Sequence, residues 1–202
     1  MLDPAYVNGF DDPVQRSQNV FRLLLNAMAS PGTIVDVEES LQVAPPSLGY
    51  AASSILLAMA DLETPIWISG QLRTDTAERW VRFHTGANLT EDRALATFSL
   101  ISGADADGNF ESFARGEERY PERSTTVIVV CESLDGGHVV NLTGPGIEDA
   151  HRVAPRVLRE EFWTEVQRNH AMFPLGVDLI FVAGTSFFCL PRSTRVDLKA
   201  SL

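Results

Sequence analysis

The run Thr125-Thr126-Val127-Ile128-Val129-Val130-Cys131 is the strongest constraint this chain places on its own fold. β-Branched side chains are stiff at χ1 and suit a pleated strand better than a helix. No polar residue interrupts the stretch from Val127 to Val130, so a strand here has no face to offer to water. Such a strand belongs inside a sheet that is covered on both sides. Residues 176–184 and 186–190 read as further apolar strands, the second closed by Pro191.

The covering layers are legible as helices. Asp12-Pro13 opens the first: Asp12 suits the N-cap, Pro13 the first turn, and Gln15 completes a capping box. Val14, Phe21, Leu24, Leu25 and Met28 recur at helical spacing, and Ser30-Pro31-Gly32 ends the pattern. Residues 1–11 before it have no period and read as an arm. Ser47 is expected to cap a helix through Ala51, Ile55, Leu56 and Met59. Asp75 with Glu78 is expected to cap another, through Trp80 and Phe83 to a Gly86 stop. Pro155 opens a last long helix with the stripe Leu158, Phe162 and Val166.

Shorter strands are expected at 33–37, 65–69 and 97–101, and a helical turn at 91–95. The turn Asp135-Gly136-Gly137 is expected to fold 138–142 back as a hairpin partner of the 125–131 strand. Residues 102–124 read as the loosest stretch. Strands and helices alternate early and a hairpin comes late, which predicts an α/β fold. We expect one domain over residues 1–202, with a mixed sheet flanked by helices.

Charge narrows the chemistry. Twenty-seven acidic residues against 16 basic ones give a net charge of −11, and all but one of the basic residues are arginine. An acidic surface repels phosphate backbones, so nucleic acid is not an expected partner. The one lysine, Lys199, follows Leu198 and is no Walker-A lysine, nor is it placed for Schiff-base chemistry. No apolar run is long enough to span a bilayer, so no membrane partner is expected. Met1-Leu2-Asp3-Pro4 has no basic, apolar leader, so a cytoplasmic location is expected. Cys131 and Cys189 sit in apolar strands and are expected to be buried thiols.

No local constellation is catalytic by itself. His84, His138, His151 and His170 have no zinc-ligand spacing, so no metal is expected. Gly184-Thr185-Ser186 is followed by Phe187 and Phe188 rather than by a helix-opening glycine, and reads as a turn between strands. Leu142-Thr143-Gly144-Pro145-Gly146-Ile147 follows a strand, as anion-cradling loops do. However, Pro145 lacks an N–H and Asp149 stands where a third glycine would be, which favours a tight turn. Arginine remains the residue type suited to binding: Arg22 and Arg192, with Gly144 and Gly146, are the candidate ligand or subunit contacts.

The ordered set of short motifs is more specific. Gly9-Phe10, Asp12-Pro13-Val14, Ser17-Gln18, Phe21-Arg22, Met28 and Ser30-Pro31-Gly32 resemble the opening of the PhnH family. The likeness continues through Gly116, Pro121, Ser124-Thr125-Thr126 and the 142–147 turn. It ends with Phe173-Pro174-Leu175-Gly176-Val177-Asp178 and Leu190-Pro191-Arg192-Ser193-Thr194-Arg195. The resemblance implies a subunit of the bacterial carbon–phosphorus lyase system that assembles with PhnG, PhnI and PhnJ. With PhnG, PhnI and PhnL it is assigned to attaching methylphosphonate to the ribose of ATP, with loss of adenine, which gives ribose 1-methylphosphonate 5-triphosphate. It implies a homodimer and a fold like the large domain of pyridoxal-phosphate-dependent aminotransferases without the cofactor. It transfers no catalytic residue.

The leading expectation is therefore an accessory subunit. Two alternatives stand beside it. One is a stand-alone enzyme with a homodimer-interface pocket, in which groups such as Arg22, His84 and Asp178 converge. The other is a simple phosphonate- or nucleotide-binding module.

Overall fold

The computed structural model describes residues 9–38, 44–104, 106–156 and 160–198. Its centre is a six-stranded sheet in the order β1-β10-β9-β6-β3-β2. The strands are β1 (Val35–Asp36), β2 (Ile66–Ile68), β3 (Phe98–Ser102), β6 (Thr126–Val130), β9 (Asp178–Ala183) and β10 (Ser186–Leu190). The apolar run at 126–130 lies in the interior, parallel to β3 on one side and β9 on the other. β2 is also parallel to β3, whereas β10 and β1 close the other edge antiparallel.

Strand side chains alternate between two cores. Ile66, Ile68, Leu100, Ile128, Ile180, Phe187 and Cys189 point to one face. There they meet α1 (Pro13–Ala29), α2 (Gly49–Met59) and α3 (Asp75–Thr85), which contribute Leu24, Ile55 and Trp80 among others. Ile101, Val127, Val129, Leu179, Phe181 and Phe188 point to the other face. That side is covered by α4 (Glu160–Ala171) and by a second sheet of β11 (Arg195–Asp197), β7 (Val140–Thr143) and β8 (His151–Val153). Its centre is aromatic: Trp163 and Phe188 each stack with Phe181, at centroid distances of 5.6 and 4.7 Å.

Several expectations are corrected. Val14, Phe21 and Leu25 do not face the core; they are 70%, 45% and 53% exposed, and α1 buries Val20, Leu24 and Ala27 instead. Ser47 does not cap α2, whose N-cap is Leu48; the Ser47 hydroxyl donates to the carbonyl of Leu72 at 3.0 Å. Thr74 rather than Asp75 caps α3, accepting from the Ala77 N–H, and Glu78 pairs with Arg73.

The 138–142 segment does not pair with β6, because β3 and β9 already occupy both of its edges; β7 joins the small sheet instead. The stretch from 102 to 124 holds a hairpin of β4 (Arg115–Glu117) and β5 (Tyr120–Ser124), and buries Phe110 and Phe113. Leu158 of the expected α4 stripe, Lys199 and most of the expected arm lie outside the described residues. Phe162 and Val166 are buried as expected.

Candidate functional site

Arg192 lies just past β10, with its side chain 11% exposed. A guanidinium has five N–H donors in a rigid fork, and each one here has an acceptor. Nε donates to Asp178 Oδ1 at 3.1 Å, and Nη2 donates to Asp178 Oδ2 at 2.5 Å and to the Ser124 hydroxyl. Nη1 donates to the carbonyls of Pro121 at 3.0 Å and Pro174 at 3.4 Å. The Arg192 N–H also donates to Asp178 Oδ1 at 2.8 Å, and the Arg192 carbonyl lies 2.9 Å from His170 Nδ1. The side chain thus joins the end of β10, the start of β9, the β4–β5 hairpin and the loop after α4. No donor remains for a ligand unless one of these bonds breaks.

Asn169 completes this junction. It is 3% exposed; its amide donates to the Val177 carbonyl at 2.9 Å, and its Oδ1 accepts from the Val177 N–H at 2.8 Å. A Cβ on Gly176 would fall 2.7 Å from that same oxygen, so only glycine lets the loop pass. The motif stretches 116–126, 173–178 and 190–195, scattered along the sequence, therefore meet around one guanidinium.

A second junction receives the 142–147 turn. Ile147 donates its N–H to the Gly144 carbonyl at 3.1 Å, which closes a tight turn. Gly146 has φ +82°, and a Cβ there would lie 2.0 Å from the Ala29 carbonyl oxygen at the end of α1. Gly144, at φ +132°, runs close to the backbone of residues 193–195. The turn thus rests against the negative end of the α1 dipole, a poor place for an anion. Pro31, in the motif that ends α1, accepts at 2.7 Å from His151 Nδ1.

Arg22 is placed differently. It is exposed on α1 beside a cleft of about 250 Å³ between α1 and the segment Asp36–Glu38. Val20, Leu23 and Val37 form the apolar part of the lining, and Asn19 and Asn26 lie on the same wall as Arg22. The sequence reading found the arginine and missed the two amides; their spacing of three and seven residues along one helix was the available signal. His84, in the last turn of α3, lines a separate cleft with Gly9, Phe10 and Leu57. Asp178 is held by Arg192. Arg22, His84 and Asp178 therefore share no cleft among the described residues.

The reactive groups are subdued. Both cysteines are buried and free, and burial pushes the Cys131 thiol up to about 12 and the Cys189 thiol higher still. Among the described residues, no group of three His, Cys, Asp or Glu is placed to hold a metal ion. No helix among them is long and apolar enough to cross a membrane.

Fold and bonding together define a mixed α/β protein whose Arg192 and Asn169 motifs are turned inward. Sequence comparison is more particular. A family model described as bacterial phosphonate metabolism protein (PhnH) matches residues 8–197, and the chain belongs to that family. It is 38% identical over 193 residues to the alpha-D-ribose 1-methylphosphonate 5-triphosphate synthase subunit PhnH of Rhizobium meliloti (strain 1021), covering 95% of this chain and 96% of that one. It is 30% identical over 190 residues to HtxG of Stutzerimonas stutzeri, whose name associates it with C-P lyase; the match covers 92% of this chain and 88% of the relative.

Proposed function

We propose that this chain is an accessory subunit of a carbon–phosphorus lyase system. In this reading it supports formation of ribose 1-methylphosphonate 5-triphosphate from ATP and methylphosphonate during phosphonate catabolism. The observation that carries it is the 38% identity, over nearly the whole of both chains, to a protein named as a subunit of that synthase. An accessory role is supported by the buried, protonated thiols and by the engagement of Arg192 and Asp178 with each other.

The partners in this reading are the PhnG, PhnI and PhnJ homologues of the same cell, with PhnL. The chain acts in the cytoplasm and pairs as a homodimer in isolation. Its fold is that of an aminotransferase large domain that has lost pyridoxal phosphate. Among the candidate contacts, Arg22 is the one free to meet a partner.

The test is a tagged pull-down from phosphate-starved cells, followed by an adenine-release assay on ATP and methylphosphonate. Co-purification of PhnG, PhnI and PhnJ is expected, with adenine release by the assembly and none by the chain alone. Robust release by the isolated chain would sink the accessory role, and absence of the partners would sink the subunit role.

A further inference from the structure

One wall of the cleft between α1 and β1 carries three polar side chains that make no bond within the described part of the fold. Asn19, Arg22 and Asn26 stand at positions i, i+3 and i+7 of α1, and their side chains bond to nothing among the described residues. Seven helical residues span about 10 Å, roughly the length of three residues of extended chain. Below them, Val20 and Val37, 3% and 4% exposed, provide an apolar floor.

The opposite wall is the edge of the sheet. β1 has β10 on one side and no strand on the other among the described residues. The Val37 N–H donates to the Thr185 carbonyl at 2.9 Å, and the register sets Val35 against Phe187 and Asp36 against Ser186. In an antiparallel ladder only alternate residues turn their N–H and C=O toward the partner strand. Val35 and Val37 face β10, so the main-chain N–H and C=O of Asp36 face away from it, as an open template for one more strand.

Charge decides what kind of chain fits. Arg16 is paired with Asp11 and Glu38, and Asp36 accepts from the Ser186 hydroxyl. Arg22 is the charge in this cleft left without a partner among the described residues. With Arg16 and Arg22 facing Asp36 and Glu38, the cleft has no net charge, and a polyanion such as a triphosphate gains little there. A peptide main chain is neutral, and a single carboxylate on it complements Arg22.

We propose that this cleft receives an extended segment of a partner subunit, which pairs with the free edge of Asp36 and sets one carboxylate against Arg22. The proposal rests on the subunit role proposed above, and the experiment separates the two.

The experiment uses the full chain and a purified complex of its cognate PhnG, PhnI and PhnJ. By NMR-detected hydrogen exchange, the Asp36 amide exchanges freely in the isolated chain and slows at least about tenfold in the complex. Arg22→Glu, at an exposed position, weakens association by about ten- to a hundredfold. Asp36→Pro removes the outward N–H and weakens association about fivefold more than Asp36→Ala, which keeps it. Unchanged affinity of R22E, or an Asp36 amide that is already protected in the free chain, overturns the proposal and leaves the subunit role standing. Failure of the unmodified chain to bind the complex overturns both. Saturable methylphosphonate binding that R22E abolishes, with association intact, assigns the cleft to a small anion and overturns the strand.

Discussion

Replacing Arg192 by alanine is expected to be among the most damaging single changes outside the apolar cores. The substitution leaves two carbonyls, a serine hydroxyl and the Asp178 carboxylate without the donors that now satisfy them. Breaking a buried ion pair from one side costs about 3–5 kcal/mol. The pair here is not fully sealed, with side chains 11% and 24% exposed, so water reaches part of it and the lower end applies. A loss of about 3 kcal/mol follows, which for a chain of this size lowers Tm by roughly 6–12 °C.

Arg192→Lys keeps the charge but not the fork, and is expected to recover less than half of the loss. Asp178→Asn keeps an acceptor for the Arg192 main-chain N–H and is expected to cost about 2 kcal/mol. Because Arg192→Ala and Asp178→Asn disturb one pair, combining them should cost less than their sum. Urea unfolding followed by tryptophan fluorescence measures all four proteins. Arg192→Ala within about 1 kcal/mol of wild type would refute the idea that this guanidinium holds the fold together.

Three further outcomes follow from the structure. A disulfide reagent such as DTNB is expected to label neither cysteine in the native chain at pH 8 and both after denaturation, since burial holds the thiols protonated. Gly146→Ala, which drives a Cβ against the Ala29 carbonyl at a positive φ, is expected to lower stability by about 2–3 kcal/mol in the same urea assay. The Arg73 hydrogen bond holds the Glu91 carboxyl below its ordinary range, so its contribution is complete above that range and is lost as pH falls through the lowered value. The stability gap between wild type and Glu91→Gln should accordingly narrow on acidification and not on raising the pH, as urea midpoints across pH 3–7 would report.

Legibility in the sequence followed how far each feature depends on distant partners. β6, β9 and β10 could be read because strands covered on both faces are apolar at nearly every position. Asp12 could be read as a cap because its bond to the Gln15 N–H is local. The stripe of α1 could not, since the buried side includes Ala27 while Phe21 and Leu25 face outward. Nor could the pairing of β7, which depends on strands far along the chain having filled both edges of β6. The β4–β5 hairpin is short and buries none of its strand residues fully, so its sequence has no hydrophobic alternation to betray it. At the candidate sites, the motif residues were visible as words. What they do was not visible, because Gly146 is explained by Ala29 and Arg192 by Ser124 and Pro121.

The division of the apolar core by the sheet gives the chain built-in reporters. Trp80 is fully buried among the helices of one face, and Trp163 is fully buried in the aromatic stack of the other. Trp67 packs on the aromatic side as well, so replacing Trp80 by phenylalanine leaves emission from that side alone, and replacing Trp67 and Trp163 together leaves Trp80 to report on the helices. The two layers can then be followed separately during unfolding or on joining a partner, with no dye attached. If the helical layer loosens before the aromatic one, the two signals will part, and the order in which they part will say which side of the sheet opens first.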